Sequence, residues 1–130
     1  MRIPRAIFDD LIAHAREDAP NECCGMIGTK DGRAVQAFRT RNAAASPLRY
    51  EMDPNEQLKV YNAIEDAGLD LGAIYHSHTR SEPYPSQTDI NLAAWPDSLY
   101  LIIGVAGDEP DLRGYRIVDG RIDEAELTVE

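Results

Sequence analysis

Ile74-Tyr75-His76-Ser77-His78, followed after seven residues by Ser86-Gln87-Thr88-Asp89, is the stretch from which the rest of this chain is read. The apolar run Leu71, Ala73, Ile74 predicts a strand. Strand side chains alternate faces, so His76 and His78 point the same way. Asp89, eleven residues beyond His78, offers a hard oxygen ligand. Two imidazoles and one carboxylate make a three-donor site with one position open, the arrangement of a catalytic rather than a structural zinc. Water in that position has its pKa lowered toward ~7. A His-x-His pair alone is commonly two polar residues at a strand end. Ser86 and Asp89 also have a second reading, as the cap and N3 residue of a helix. The two readings are compatible, because an aspartate held in a first turn can face a neighbouring strand's histidines.

Upstream, Glu22-Cys23-Cys24-Gly25-Met26-Ile27-Gly28 reads as a largely apolar strand with a carboxylate at its mouth. Alone, Glu22 is an exposed strand-end residue. Together, Glu22-x-x-Gly25, His76-x-His78 and Ser86-x-x-Asp89 resemble the JAMM (MPN-plus) metalloprotease family, in particular its short bacterial Mec-like members. The resemblance runs from about Pro20 to the end of a strand at Leu99–Val105. Many family members carry proline after the second histidine, where this chain has Thr79.

The resemblance implies an α/β fold, a single-domain helix–sheet–helix sandwich with a mixed sheet like that of the cytidine-deaminase superfamily, over residues 1–130. It implies Zn²⁺ held by His76, His78 and Asp89. Imidazole and carboxylate donors suit that ion, and hydrolysis needs no redox change. Glu22 becomes the general base and Ser86 an oxyanion donor as well as a cap. The implied substrate is a ubiquitin-like sulfur-carrier protein, cleaved at the amide or isopeptide bond after its C-terminal Gly-Gly tail. That cleavage releases an amino acid such as cysteine, in service of cysteine biosynthesis.

Other elements follow from local signals. Pro4 to about Asp18 predicts a helix with Ile7, Leu11, Ile12 and Ala15 on one stripe and His14 as a packed or solvent-facing residue. Lys30-Asp31-Gly32 predicts a turn into a strand over Arg33 to about Arg41. Arg49–Met52 reads as a short strand, which by the family resemblance lines the substrate groove. Asp53, Pro54 and Glu56 predict a capped helix start with a closed capping box, running to about Ala67 and burying Leu58, Tyr61 and Ile64. The helix opened by Ser86 is expected to end near Trp95-Pro96. Strands at Asp111–Val118 and Arg121–Val129 meet at Asp119-Gly120.

Composition narrows the function classes. With 13 basic against 23 acidic residues and a net charge of −10, the chain lacks the electrostatic footprint of a nucleic-acid binder and would be repelled by an anionic membrane. No apolar run approaches spanning length and Met1-Arg2-Ile3-Pro4 opens no signal peptide, so a soluble, cytoplasmic protein is expected. Adjacent Cys23 and Cys24 cannot staple distant segments and read as small buried strand residues. A serine–histidine–aspartate triad is disfavoured: one histidine would be idle and no strained elbow surrounds Ser86. His-Glu-x-x-His is absent, as is the Pro-Cys-x-x-Cys of zinc deaminases. Two alternatives to the carrier hydrolase stand beside it. One is a non-catalytic scaffold of the same fold, which has no reason to keep Glu22, His76, His78, Ser86 and Asp89 together. The other is a metal hydrolase of a small-molecule amide.

Overall fold

In the computed structural model, which describes residues 1–130, the elements run β1 (Arg2–Ile3), α1 (Arg5–Asp18), β2 (Cys24–Lys30), β3 (Arg33–Thr40), α2 (Pro54–Asp66), β4 (Asp70–His78), α3 (Gln87–Leu92), β5 (Leu99–Gly104), β6 (Asp111–Val118), β7 (Arg121–Ala125) and β8 (Thr128–Val129). Two Asp-Gly hairpins organise the ends. Asp31 and Gly32 adopt φ of 50° and 77°, Asp119 and Gly120 of 51° and 78°, the positive values that a two-residue turn between twisted strands requires.

The strands form one mixed sheet in the order β7-β6-β5-β4-β2-β3-β1-β8. Its centre is β4, antiparallel to β2 and parallel to β5. The expected single strand over Arg121–Val129 is split, because its first part pairs with β6 and its last two residues with β1. One C-terminal segment thus supplies both edge strands of the curled sheet.

Alternation along β4 feeds two cores. Ala73 and Tyr75 join Ile3, Leu11, Ala15, Cys23 and Ile27 beneath α1. Ile74 points the other way, to Tyr100, Ile102, Tyr115 and Ile117, with Ile90 and Trp95 packed over them. The result is the helix–sheet–helix sandwich anticipated from the resemblance. No helix is long and apolar enough to cross a membrane.

Several local expectations are corrected. Arg49–Met52 is not a strand; only Met52 makes an isolated bridge, to Asn42. Its backbone groups are taken instead by the neighbouring loop, Glu51 O accepting from Ala43 N and Glu51 N donating to Asn42 Oδ1. Asp53 caps α2 as expected, but Glu56 does not close the box, because its carboxylate accepts from Arg41 N. Of the three residues expected to be buried on α2, only Ile64 is; Leu58 is 59% exposed and Tyr61 stacks on Trp95. Finally, α3 stops at Leu92, where the Tyr100 hydroxyl accepts from Ala94 N and Trp95 N and draws the chain out of the helix.

Candidate metal centre

The strand carrying both histidines is followed by a crossover whose helix, α3, returns its first turn over the carboxyl end of β4. Loop 79–85 is pinned on the way. Tyr115 Oη donates to Pro83 O at 2.6 Å, and Pro83 lies close over Gly104, where any Cβ would press on its ring. Ser86 and Asp89 then form a complete capping box: Asp89 N donates to Ser86 Oγ at 3.1 Å and Ser86 N to Asp89 Oδ2 at 2.9 Å. This fixes the aspartate so that the same Oδ2 lies 3.1 Å from His76 Nε2 and 3.1 Å from His78 Nε2, which are themselves 3.2 Å apart. Capping and convergence on the histidines are one geometry.

All three residues are buried. Donors on a tetrahedral zinc at bond lengths of about 2.0–2.1 Å stand roughly 3.3 Å from one another, so the trio fits one four-coordinate ion. The protonation pattern agrees. His78 Nδ1 lies 2.7 Å from Glu82 O, a contact that assigns the proton to Nδ1 and leaves the Nε2 lone pair inward. When the Nε2 atoms carry protons instead, burial raises Asp89's pKa, but hydrogen bonds from His76 and His78 outweigh it and hold the carboxyl well below the usual range. Burial lowers His76, and Asp89 only partly compensates. For His78 burial also lowers the pKa, but Asp89 and the Glu82 carbonyl together raise it above the ordinary value.

Glu22 sits just before β2, on the face of Cys24, which is in register with His76. It is only 3% exposed. Burial pushes its carboxyl up to about 7, with His78 opposing and Asp89 adding to the rise. Only two buried side-chain nitrogen or oxygen atoms lack a partner within the chain, Glu22 Oε1 and His76 Nδ1, and both belong to this site. Buried polar atoms are nearly always satisfied, so the concentration of exceptions here marks chemistry rather than packing. The structure therefore brings together all five residues singled out in the sequence. Cys23 and Cys24 are buried thiols whose pKa values burial drives up to about 12 and about 11, which makes them poor nucleophiles.

Two contacts around the site were not legible from the motifs. Tyr50 stacks on the His76 ring at 4.5 Å between centroids. Beside it opens a cavity of about 350 Å³ lined by Met26, Tyr50, Met52, Ile74, Trp95 and Tyr100 among others, so Arg49–Met52 lines a groove without being a strand. Thr79, in the place of the common proline, donates from Oγ1 to Pro20 O at 2.8 Å and ties the end of β4 to the approach of β2.

Comparison with known proteins agrees with this architecture. The family model of prokaryotic homologues of the JAB domain matches residues 4–118. The chain is 43% identical to the CysO-cysteine peptidase of Mycobacterium tuberculosis over 126 residues, covering 95% of this chain and 86% of that protein. It is 44% identical to the desampylase of Haloferax volcanii over 106 residues, 76% of each. The solution structure of a Desulfitobacterium hafniense protein superposes with a TM-score of 0.90 at 31% identity, covering 100% of this chain and 93% of that one.

Proposed function

The chain belongs to the prokaryotic JAB-domain family of JAMM metallopeptidases, and on that premise we propose that it is a zinc hydrolase of a ubiquitin-like sulfur-carrier protein. The bond cut is the amide or isopeptide bond after the carrier's C-terminal Gly-Gly tail, and the product is an amino acid such as cysteine. Residues 1–130 act as one JAB domain. The setting in this reading is cytoplasmic cysteine biosynthesis; the similarity to the mycobacterial CysO-cysteine peptidase supports cysteine as the amino acid released.

The observation that carries the reading is the convergence of three buried donors within 3.2 Å of one another beside a buried carboxylate with an unpartnered oxygen. His76 Nε2, His78 Nε2 and Asp89 Oδ2 hold the ion. Zinc bound there supplies Lewis acidity and makes water a nucleophile at neutral pH. Glu22, with its pKa raised to about 7, takes the proton of the attacking water and delivers it to the departing amine. Its burial sets the basicity that this double task needs. Ser86 Oγ accepts from Asp89 N, so its own hydrogen remains free to donate to the oxyanion of the tetrahedral intermediate, worth ~3 kcal/mol in the barrier. The carrier tail lies along the Arg49–Met52 segment, in the cavity beside His76 that Tyr50, Met52 and Trp95 line.

The test is to incubate the protein with a carrier–cysteine adduct and with free dipeptides, following mass. Loss of one amino acid from the adduct, abolished by a chelator and restored by zinc, is expected. Dipeptide hydrolysis without adduct cleavage would overturn the carrier assignment in favour of a small-molecule amidase.

A further inference from the structure

The two histidines of the centre are held in different ways. His78 has a hydrogen-bonded Nδ1, which locks both its rotation and its tautomer, the usual support for a metal-binding imidazole. His76 has none: its Nδ1 is buried without a partner. What lies against that ring instead is Tyr50, nearly parallel at 25° and 4.5 Å between centroids. A parallel ring at that distance resists tilting of the imidazole about its Cβ–Cγ bond, since any rotation drives an edge into the tyrosine face.

Tyr50 is only as fixed as the loop that carries it, and one buried side chain ties several points of that loop together. Asn42 is buried at the end of β3. Its Nδ2 donates to Glu22 O and to Arg49 O, both at 3.0 Å. Its Oδ1 accepts from Ala44 N and Glu51 N, both at 3.0 Å. The carboxamide thus uses its two donors and both acceptor sites. With Ser46 O at 3.5 Å from Nδ2, four of the five partners lie in the loop that carries Tyr50; the fifth is the backbone of Glu22. Glu22 N donates in turn to Ser46 O of the same loop at 2.9 Å.

We propose that Tyr50 is the positioning residue of His76, replacing the missing hydrogen bond by stacking, and that Asn42 sets Tyr50 and the Glu22 backbone in one frame. The inference rests on His76, His78 and Asp89 being the metal ligands. It goes beyond that assignment in naming what orients one of them and in linking the metal side of the site to the base.

The experiment measures zinc affinity of the metal-stripped protein by competition with a chromophoric chelator, and the visible spectrum of the Co²⁺ form. Wild type is compared with Tyr50→Phe, Tyr50→Leu and Asn42→Ala. Tyr50→Phe keeps the ring and should match wild type in both readouts. Tyr50→Leu keeps apolar bulk but loses the plane; it should bind zinc about tenfold or more weakly, in the range seen when outer-shell partners of metal ligands are removed, and show an altered cobalt spectrum. Asn42→Ala should shift both readouts in the same direction. Because Tyr50 is only half-buried, the Tyr50 pair reads the proposal even if the Asn42 variant does not fold. Wild-type affinity and spectrum in Tyr50→Leu would overturn the positioning role while leaving the metal centre intact. Failure of wild type itself to bind zinc would overturn both.

Discussion

Tyr75 and His76 are neighbours in β4, yet the two sides of the strand treat polar side chains in opposite ways. On the α1 side, Tyr75 Oη lies 2.7 Å from His14 Nδ1, His14 Nε2 lies 3.4 Å from Asp18, and Ser77 Oγ accepts from Cys23 N at 2.8 Å. Every polar atom there has a partner. Gly25 is part of the same fit, since any Cβ would overlap the Tyr75 ring. On the other side Glu22 Oε1 and His76 Nδ1 have none, and three donor atoms face one another with no apolar group between them. A buried histidine is therefore not in itself a functional signal. Unspent hydrogen-bonding capacity around it is.

If that contrast is right, damage on the two sides should separate activity from stability. The largest effect is expected from Glu22→Gln, which should retain zinc and lower turnover by about 10²–10⁴-fold, the usual span for a general acid–base group. Ordinary rates in a steady-state assay would remove Glu22 from the mechanism. The same substitution should stabilise the metal-free protein at high pH. A carboxyl raised from 4.5 to about 7 binds more protons folded than unfolded in that interval. Its favourable contribution is full below 4.5 and is lost as pH rises through 7. Denaturant melts should thus show variant and wild type diverging from pH 4.5 to 7, then holding a gap on the order of 1–3 kcal/mol.

On the α1 side the expected outcome reverses. Tyr75→Phe should cost about 1–3 kcal/mol, because it strands a buried imidazole nitrogen, while zinc binding and turnover stay at wild-type levels. Burial lowers the pKa of His14 below its ordinary 6.5, against the pull of Asp18. The unfolded chain therefore takes up the proton more readily, and this contribution to stability is present above pH 6.5 and lost as pH falls below it. His14→Gln should flatten that part of the stability–pH curve; an unchanged slope would show that His14 does not titrate on unfolding. The smallest effect belongs between the two sides. Thr79→Val deletes the bond to Pro20 O and should cost about 0.5–1.5 kcal/mol with no change in turnover. A marked loss of rate would place this loop position within the chemistry.

Much of the site was legible in the chain because its parts obey short-range rules. His-x-His on a strand shares a face by pleat alone, and Ser-x-x-Asp forms its capping box from local backbone geometry alone. The Asp-Gly turns likewise carry their own φ preference. The misses were elements whose backbone partners lie elsewhere. Arg49–Met52 looks like a strand by composition but is claimed by Asn42, and Glu56 is diverted from its cap by the backbone N–H of Arg41, in the loop after β3. The C-terminal strand reads as one segment, and only the curl of the sheet divides it between β6 and β1.

Residue order by itself determined which donors exist, that the two imidazoles share a face, and that Asp89 is held at a helix start. Tertiary structure alone decided that one carboxylate oxygen stands equidistant from both imidazoles, that Glu22 is buried enough to be basic, and that Tyr50 rests on His76. The physical reason is range. Capping and pleat act over a few bonds, whereas desolvation, stacking and convergence on an ion depend on which distant surfaces the fold presses together.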